Sequence, residues 1–158
     1  MSTLTIKSSA GFSMIEVLVS VVVLSIGLLG IASLQTLGQQ FNYRAYLRTQ
    51  ATFLAYDMMD RMRANRATAV AGGYALDKGD KPNMTTDCNK QNCDPGSLAS
   101  YDLAVWYNLI ENNLPEPTVS IEWNGGASEY KITFDWAEER GEAKGANRAT
   151  PQIWTIRP

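Results

Sequence analysis

The hydrophobic pattern begins with one continuous apolar run near the N-terminus. From Val17 to Leu34 there is no charged residue, so a helix over this run would measure roughly 27 Å, enough to cross a bilayer. The uncharged stretch continues to Tyr43. Gly27 and Gly30 lie within the run, and such small residues let other helices approach closely. The run predicts a membrane anchor, either a simple single-pass helix or one that also packs against other helices.

A helical repeat then replaces the continuous apolar run. Residues 35–65 contain no proline and only one glycine, Gly38. Apolar residues recur every three or four positions, which indicates one buried helix face: Leu47, Ala51, Leu54 and Met58, widened by Met59 and Met62. We therefore expect the helix to continue past the membrane, to pack on a globular head, and to fray near Ala67–Gly73.

A second helix is predicted between two prolines. Asp94 and Pro95 are typical of a helix N-terminus, and Leu114 followed by Pro115 is typical of its end. We expect four side chains to share its apolar face: Leu98, Tyr101, Val105 and Leu109.

The C-terminal third alternates apolar and polar residues, as half-buried strands do. The apolar positions are Val119, Ile121 and Trp123, then Tyr130, Ile132, Phe134 and Trp136, and finally Ile153, Trp154 and Ile156. The turns are expected at Asn124-Gly125-Gly126 and over Glu138–Asn147. This pattern predicts a three-stranded antiparallel meander, with a possible fourth strand near Tyr74–Leu76. The fold class is therefore α+β, and we expect the four tryptophans to form the core between helix and sheet rather than a surface on which ligands stack.

Composition removes several kinds of chemistry. The chain has no histidine and a net charge of −2, so the commonest general base and metal ligand are missing and a nucleic-acid partner is not expected. No nucleotide-binding loop or serine-hydrolase motif is present, and Glu138-Glu139 fits a solvated turn. The acids of the polar segment 72–96 lack the spacing of a calcium loop. We expect no enzyme activity, no cofactor, no metal and no small-molecule substrate.

Two further features concern the region outside the membrane. Cys88 and Cys93 do not have redox-motif spacing, and two cysteines are too few for a structural zinc site. If this region lies outside the cytoplasm, a disulfide is the default state, with free thiols or redox chemistry as the alternatives.

The arginines between Arg44 and Arg66 are expected either to be solvated or to pair with neighbouring subunits.

The start of the apolar run carries a motif. Gly11 and Phe12 are followed by Glu16, an acid at the mouth of an otherwise apolar helix, where an unpaired charge is costly in lipid. The segment resembles the class III signal of type IV prepilins and pseudopilins. The resemblance implies cleavage after Gly11 by the prepilin peptidase and N-methylation of the new N-terminal Phe12. The alternative is an ordinary secretory signal peptide cut near Ile31-Ala32-Ser33.

The resemblance also implies a role for Glu16, which would pair with the N-terminal amine of Phe12 in an adjacent subunit. Each charge is strongly disfavoured alone in a bundle of apolar helices, and pairing removes much of that penalty. The pair would set the stagger between neighbouring helices, because only one register brings the two groups together.

The resemblance extends into the head, where several stretches are similar to the PilV family of minor pilins, also called type IV pilus modification proteins. These stretches are GFSMIEVLVSVVVLSIGLLGIASLQ, AYDMMDRMRANR, CDPGSLASYDLAVWYNLI, VSIEW and YKITFDWAEE. The resemblance implies the type IV pilin fold, in which a long N-terminal helix packs on a small antiparallel sheet. The expected organisation is a leader (1–11), a transmembrane and assembly segment (12–34), an amphipathic stem (35–66) and a periplasmic head (67–158).

The function implied is that of a low-abundance subunit in a tip or priming complex that starts type IV pilus assembly. Its expected partners are the prepilin peptidase, other minor pilins, the major pilin and the inner-membrane assembly machinery. Its expected location is the inner membrane and then the pilus at the cell surface. The alternatives are a minor pseudopilin of type II secretion, or a tip adhesin or DNA-uptake pilin whose segment 72–96 contacts a ligand.

Overall fold

The computed structural model describes residues 11–138 and 149–158. These residues form two compact units, divided after Asn42. The helices are α1 (Met14–Ala64), α2 (Arg66–Val70) and α3 (Pro95–Asn113), and the strands are β1 (Thr118–Asn124), β2 (Glu129–Asp135) and β3 (Gln152–Ile156). A long N-terminal helix with a small antiparallel sheet and extra helices is the type IV pilin fold, as the sequence predicted.

The first unit contains the apolar part of α1. Of residues 11–42 every one is exposed except Gly38, which is half-buried. By length and composition the helix is able to cross a membrane. Hydroxyl groups in this part donate to the carbonyl oxygens one turn earlier, which satisfies them without water: Ser20, Ser25, Ser33 and Thr36. These four hydroxyl groups can therefore enter lipid already hydrogen-bonded.

The second unit is built on the remainder of α1. The predicted stripe is buried at Leu47, Ala51, Leu54, Met58 and Met62, and Met59 packs against it. The indole Nε1 of Trp106 on α3 donates to the carbonyl oxygen of Leu54 at 2.7 Å. Helix α1 ends at Ala64, and after Asn65 the short helix α2 runs through the segment where fraying was expected.

Helix α3 has the predicted ends but a different buried face. The Asp94 carboxylate accepts hydrogen bonds from the backbone N–H groups of Gly96 and Ser97, and Leu114 follows the last turn. The expected face was wrong, because its four residues are only partly buried or, like Leu109, exposed. The adjacent arc is buried instead: Ala99, Asp102, Leu103, Ala104, Trp106, Tyr107 and Ile110. Two alanines on this arc allow close approach, and Trp106 is its largest fully buried side chain.

The three strands form the predicted meander in the order β1-β2-β3. Ile132 lies opposite Ile121 on β1 and opposite Trp154 on β3. The expected fourth strand is reduced to one antiparallel bridge between Leu76 and Ile121. Ile153 is 56% exposed, so β3 contributes Trp154 and Ile156 to the core side. Of the predicted turn over Glu138–Asn147 only Glu138 is described, and the pair Glu138-Glu139 therefore lies partly outside the described residues.

The four tryptophans lie in the core or against it, as predicted. Trp106 and Trp136 are fully buried, while Trp123 and Trp154 are half-buried and pack against it. The rings of Trp106 and Trp154 both meet Phe134 edge-on. Fluorescence of these tryptophans therefore reports on the head.

A buried polar cluster joins α1, α3 and the chain between them. The Asp102 carboxylate accepts hydrogen bonds from Arg61 Nη1 at 3.0 Å and from the Tyr74 hydroxyl at 2.8 Å. Asn65 Nδ2 donates to the carbonyl oxygen of Pro95 at 2.7 Å. Burial lowers the pKa of Arg61, but hydrogen bonds and ion pairs with Asp57 and Asp102 raise it by more, so the net pKa is above its ordinary value.

Removal of the Asp102 carboxylate should destabilise the head. Asp102→Ala leaves the half-buried Arg61 guanidinium and the Tyr74 hydroxyl without their shared acceptor, which should lower the free energy of unfolding by roughly 2–3 kcal/mol. Urea unfolding of the full chain in detergent, followed by tryptophan fluorescence, measures this loss. The control is Asp60→Ala, which breaks an exposed pair with Arg63 and should cost less than about 0.5 kcal/mol. Equal losses in the two variants would contradict this account of the cluster.

Alkaline pH should weaken the head through its buried tyrosines. Burial raises the pKa of Tyr74 above its ordinary value, and its hydrogen bond to Asp102 adds to the rise. Burial also raises the pKa of Tyr130. Because these pKa values are raised in the folded state, the stability they contribute is complete below the unfolded value of about 10 and is lost as the pH rises above it. In an ultraviolet titration both should ionise only as the head unfolds, and Tyr74→Phe should remove one tyrosine from that late phase. Ionisation of Tyr74 and Tyr130 while the head is still folded would contradict this.

Candidate functional site

The first candidate site is the start of α1. The backbone N–H groups of Glu16 and Val17 both point to the carbonyl oxygen of Ser13, at 3.0 and 3.3 Å. Ser13 three residues before Glu16 is a spacing typical of helix N-termini. Phe12 lies before the helix and is 85% exposed. The helix therefore begins at Met14, the third residue after the predicted cleavage point.

Glu16 lies in the first turn of α1 with an exposed side chain. Its charge is favourable beside the positive end of the helix macrodipole. Among residues 11–138 and 149–158, however, no side chain or backbone group forms a hydrogen bond or ion pair with its carboxylate. In an apolar surrounding such a carboxylate needs a cationic partner, and the described chain does not provide one.

The bond between Gly11 and Phe12 lies in an exposed, non-helical segment. A side chain added at Gly11 would meet no atom within 4 Å. The fold of the described residues therefore does not require glycine at this position. A requirement for glycine would come from a protein that binds this segment. The leader before Gly11 lies outside the described residues.

The second candidate site is the segment before α3, which a disulfide closes. Cys88 and Cys93 are bonded, with their Cα atoms 5.6 Å apart. Cys93 directly precedes Asp94, the residue that caps α3, so the disulfide ties the irregular segment to the start of this helix. Two residues of this segment also contact side chains further along α3. Lys81 pairs with Glu111, and the Asn89 side chain donates a hydrogen bond to the Tyr101 hydroxyl. These contacts give the disulfide and its neighbours a structural role.

The structure also shows contacts of the stem that sequence reasoning missed. Arg44 and Arg48 on α1 pair with Glu138, with N–O distances of 3.3 and 3.7 Å, and Arg61 lies in the buried cluster. These arginines are thus neither fully solvated nor directed only at other subunits. No signal in the sequence links Glu138 to residues ninety or more positions earlier.

The described residues give no support for metal chemistry. Within this part of the chain no group of three or more histidine, cysteine or acidic side chains is arranged to hold a metal ion. Asp87 is paired with Lys90 at 2.9 Å, which fits a solvated loop.

Two family models match consecutive parts of the chain. The model described as the prokaryotic N-terminal methylation motif matches residues 6–32, which include Gly11, Phe12 and Glu16. The model described as type IV pilin Tt1218 matches residues 33–104, from the stem into α3. No curated protein and no solved structure matches the chain. Type IV pilins are structural proteins, and the methylation motif implies processing by the prepilin peptidase and assembly with other pilins. The long helix, the small sheet and these two matches, which cover residues 6–104, support a type IV prepilin-like protein.

Proposed function

We propose that this protein is a minor pilin of the PilV kind, which joins a tip or priming complex and promotes initiation of type IV pilus assembly. Twitching motility and adhesion would depend on it through the pili that it helps to start. The observation that carries the proposal is the exposed Glu16 carboxylate, without a partner in the described chain, at the start of an apolar helix.

The proposed chemistry at this site is charge pairing between subunits. Cleavage after Gly11 creates an amine at Phe12, and N-methylation leaves that amine positively charged. The Glu16 carboxylate of one subunit would pair with the Phe12 amine of the next, and neither charge would then be alone among apolar helices. The pair would act chiefly on register, since the desolvation penalty offsets most of its Coulombic attraction.

Two features favour a minor subunit over the bulk subunit of a filament. Many major pilins carry a proline in the N-terminal helix, whereas residues 12–66 contain none. Major pilins also commonly close a loop near the C-terminus with a disulfide, whereas here the bridge joins Cys88 to Cys93 in mid-chain. The proposed route starts in the inner membrane with the head in the periplasm, where the assembly machinery and the other pilins are met, and ends in the pilus at the cell surface.

The same anchor would serve a minor pseudopilin of type II secretion, which is the first alternative. A tip adhesin or a DNA-uptake pilin is the second, with the segment before α3 as the contact surface. Its acids, including Asp77 and Asp80, disfavour DNA through repulsion of the phosphates.

Loss of the Glu16 carboxylate should impair assembly and leave earlier steps intact. Glu16→Ala should enter the membrane and be cleaved as the wild type is, because the apolar run and Gly11 are unchanged, while its amount in sheared filaments should fall at least about fivefold. Immunoblots of membranes and sheared filaments measure both quantities. Ser25→Ala is the matched control, since this hydroxyl is satisfied within its own helix. Equal amounts of Glu16→Ala and wild type in the filaments would overturn the pairing.

Deletion of the gene tests the proposed function itself. In a strain that also lacks the retraction motor, sheared surface pili should disappear or fall sharply while protein secretion continues, because filaments would start rarely. Normal numbers of pili would contradict a role in initiation. Lost secretion with normal pili would favour the pseudopilin alternative, and lost adhesion with normal pili would favour the adhesin.

A further inference from the structure

Three large aromatic side chains lie exposed on the part of α1 that belongs to the head. Tyr46, Phe53 and Tyr56 have exposed fractions of 52%, 64% and 52%. With 3.6 residues per turn, the three lie within an arc of about 80° and span about 15 Å of helix. We call these three residues the aromatic face.

The aromatic face does not serve the core of its own head. The buried side chains of the same helix, such as Leu47, Leu54 and Met58, occupy an arc on the other side of the helix by the same periodicity. An exposed phenylalanine on the solvent side of an otherwise amphipathic helix brings no stability to the head. Clustered exposed aromatic residues are typical of protein interfaces.

The charges that border the aromatic face are already paired. Asp60 pairs with Arg63 at 3.3 Å, and Asp57 pairs with Arg61 at 2.9 Å. Because each of these arginines already has an acidic partner, the face offers no excess positive charge to an anionic lipid surface or to nucleic acid. Its chemistry suits the apolar and aromatic surface of another protein.

The aromatic face is too small to hold a free partner. Three half-exposed aromatic side chains offer roughly 300–400 Å², at most about half of the ~800 Å² that each partner buries in a stable complex. An anchor in the same membrane would raise the effective concentration of a partner and remove this shortfall. Other membrane-anchored pilins meet that condition, since the methylation motif implies assembly with them.

We propose that the aromatic face is the docking surface for the stem helix of a different membrane-anchored prepilin-like subunit. This inference rests on the proposed function, because a low-abundance subunit has other pilins as its neighbours. Phe53 is the central and most exposed of the three residues and is expected to contribute most. Docking of the stems would bring two heads together above the membrane and so favour one set of partners over others.

Site-specific photo-crosslinking in cells tests the proposal. Benzoylphenylalanine at position 53 of the full-length chain should form adducts with another prepilin-like subunit, identified by mass spectrometry of the crosslinked peptides. The matched control is the same probe at Ile153, an exposed apolar side chain on β3 with an exposed fraction of 56%. Adducts with a second copy of this chain only, adducts with lipid only, or no more adducts at position 53 than at position 153 would each overturn the proposal.

Substitution provides a second measurement. Phe53→Ala should lower co-purification with the partner about tenfold, as loss of a central interface aromatic does, and should leave urea unfolding of the head unchanged. Ile153→Ala should change neither quantity. Unchanged co-purification of Phe53→Ala would contradict the docking surface. If the deletion strain loses its pili while position 53 gives no adducts, the proposed function stands and this inference fails. If that strain has normal pili while position 53 gives adducts, the proposed function fails and the docking surface stands.

Discussion

The structure depends first on an apolar helical segment that its own chain does not cover. Between Gly11 and Asn42 all residues but Gly38 are exposed, and each exposed Å² of apolar surface costs about 25 cal/mol in water. Only lipid or other apolar helices remove that cost. A passage from a membrane to a bundle of similar helices would have to keep this segment away from water throughout. The single carboxylate at its start, on Glu16, is compatible with such a passage only if it meets a positive charge.

The head addresses a different problem, which is to build one core around a helix that extends beyond it. Within the second unit the stripe of α1 supplies one side of the core and α3 and the sheet supply the other. Direct hydrogen bonds then determine how these elements meet: Trp106 bonds to the backbone of α1, and Asp102 joins Arg61 to Tyr74. A cluster of this kind is satisfied only in one arrangement of its elements, so it favours a unique packing of the stem in the head.

Periodicity predicted the elements well but predicted contacts poorly. The stripe from Leu47 to Met58, the ends of α3 and the three strands followed from local pattern, because propensity, capping and alternation act over a few residues. The buried face of α3 did not, since Leu98 and Val105 are as apolar as Leu103 and only the partner surface selects among them. The segment Tyr74–Leu76 looks like a strand, yet one bridge to Ile121 suffices where the sheet edge meets a loop. The candidate site itself was predicted from the resemblance of the segment with Gly11, Phe12 and Glu16 to the prepilin signal, whereas the pairing of Arg44 and Arg48 with Glu138 depends on tertiary structure.

The central claim is that the chain is a prepilin whose mature form begins at Phe12. The most direct test is intact mass spectrometry of the protein isolated from membranes, with and without a functional prepilin peptidase. The account predicts a chain that starts at Phe12 and carries one added methyl group, and a chain with an uncut leader when the peptidase is inactive. A mature N-terminus after Ser33, or a leader retained in the presence of an active peptidase, would contradict it.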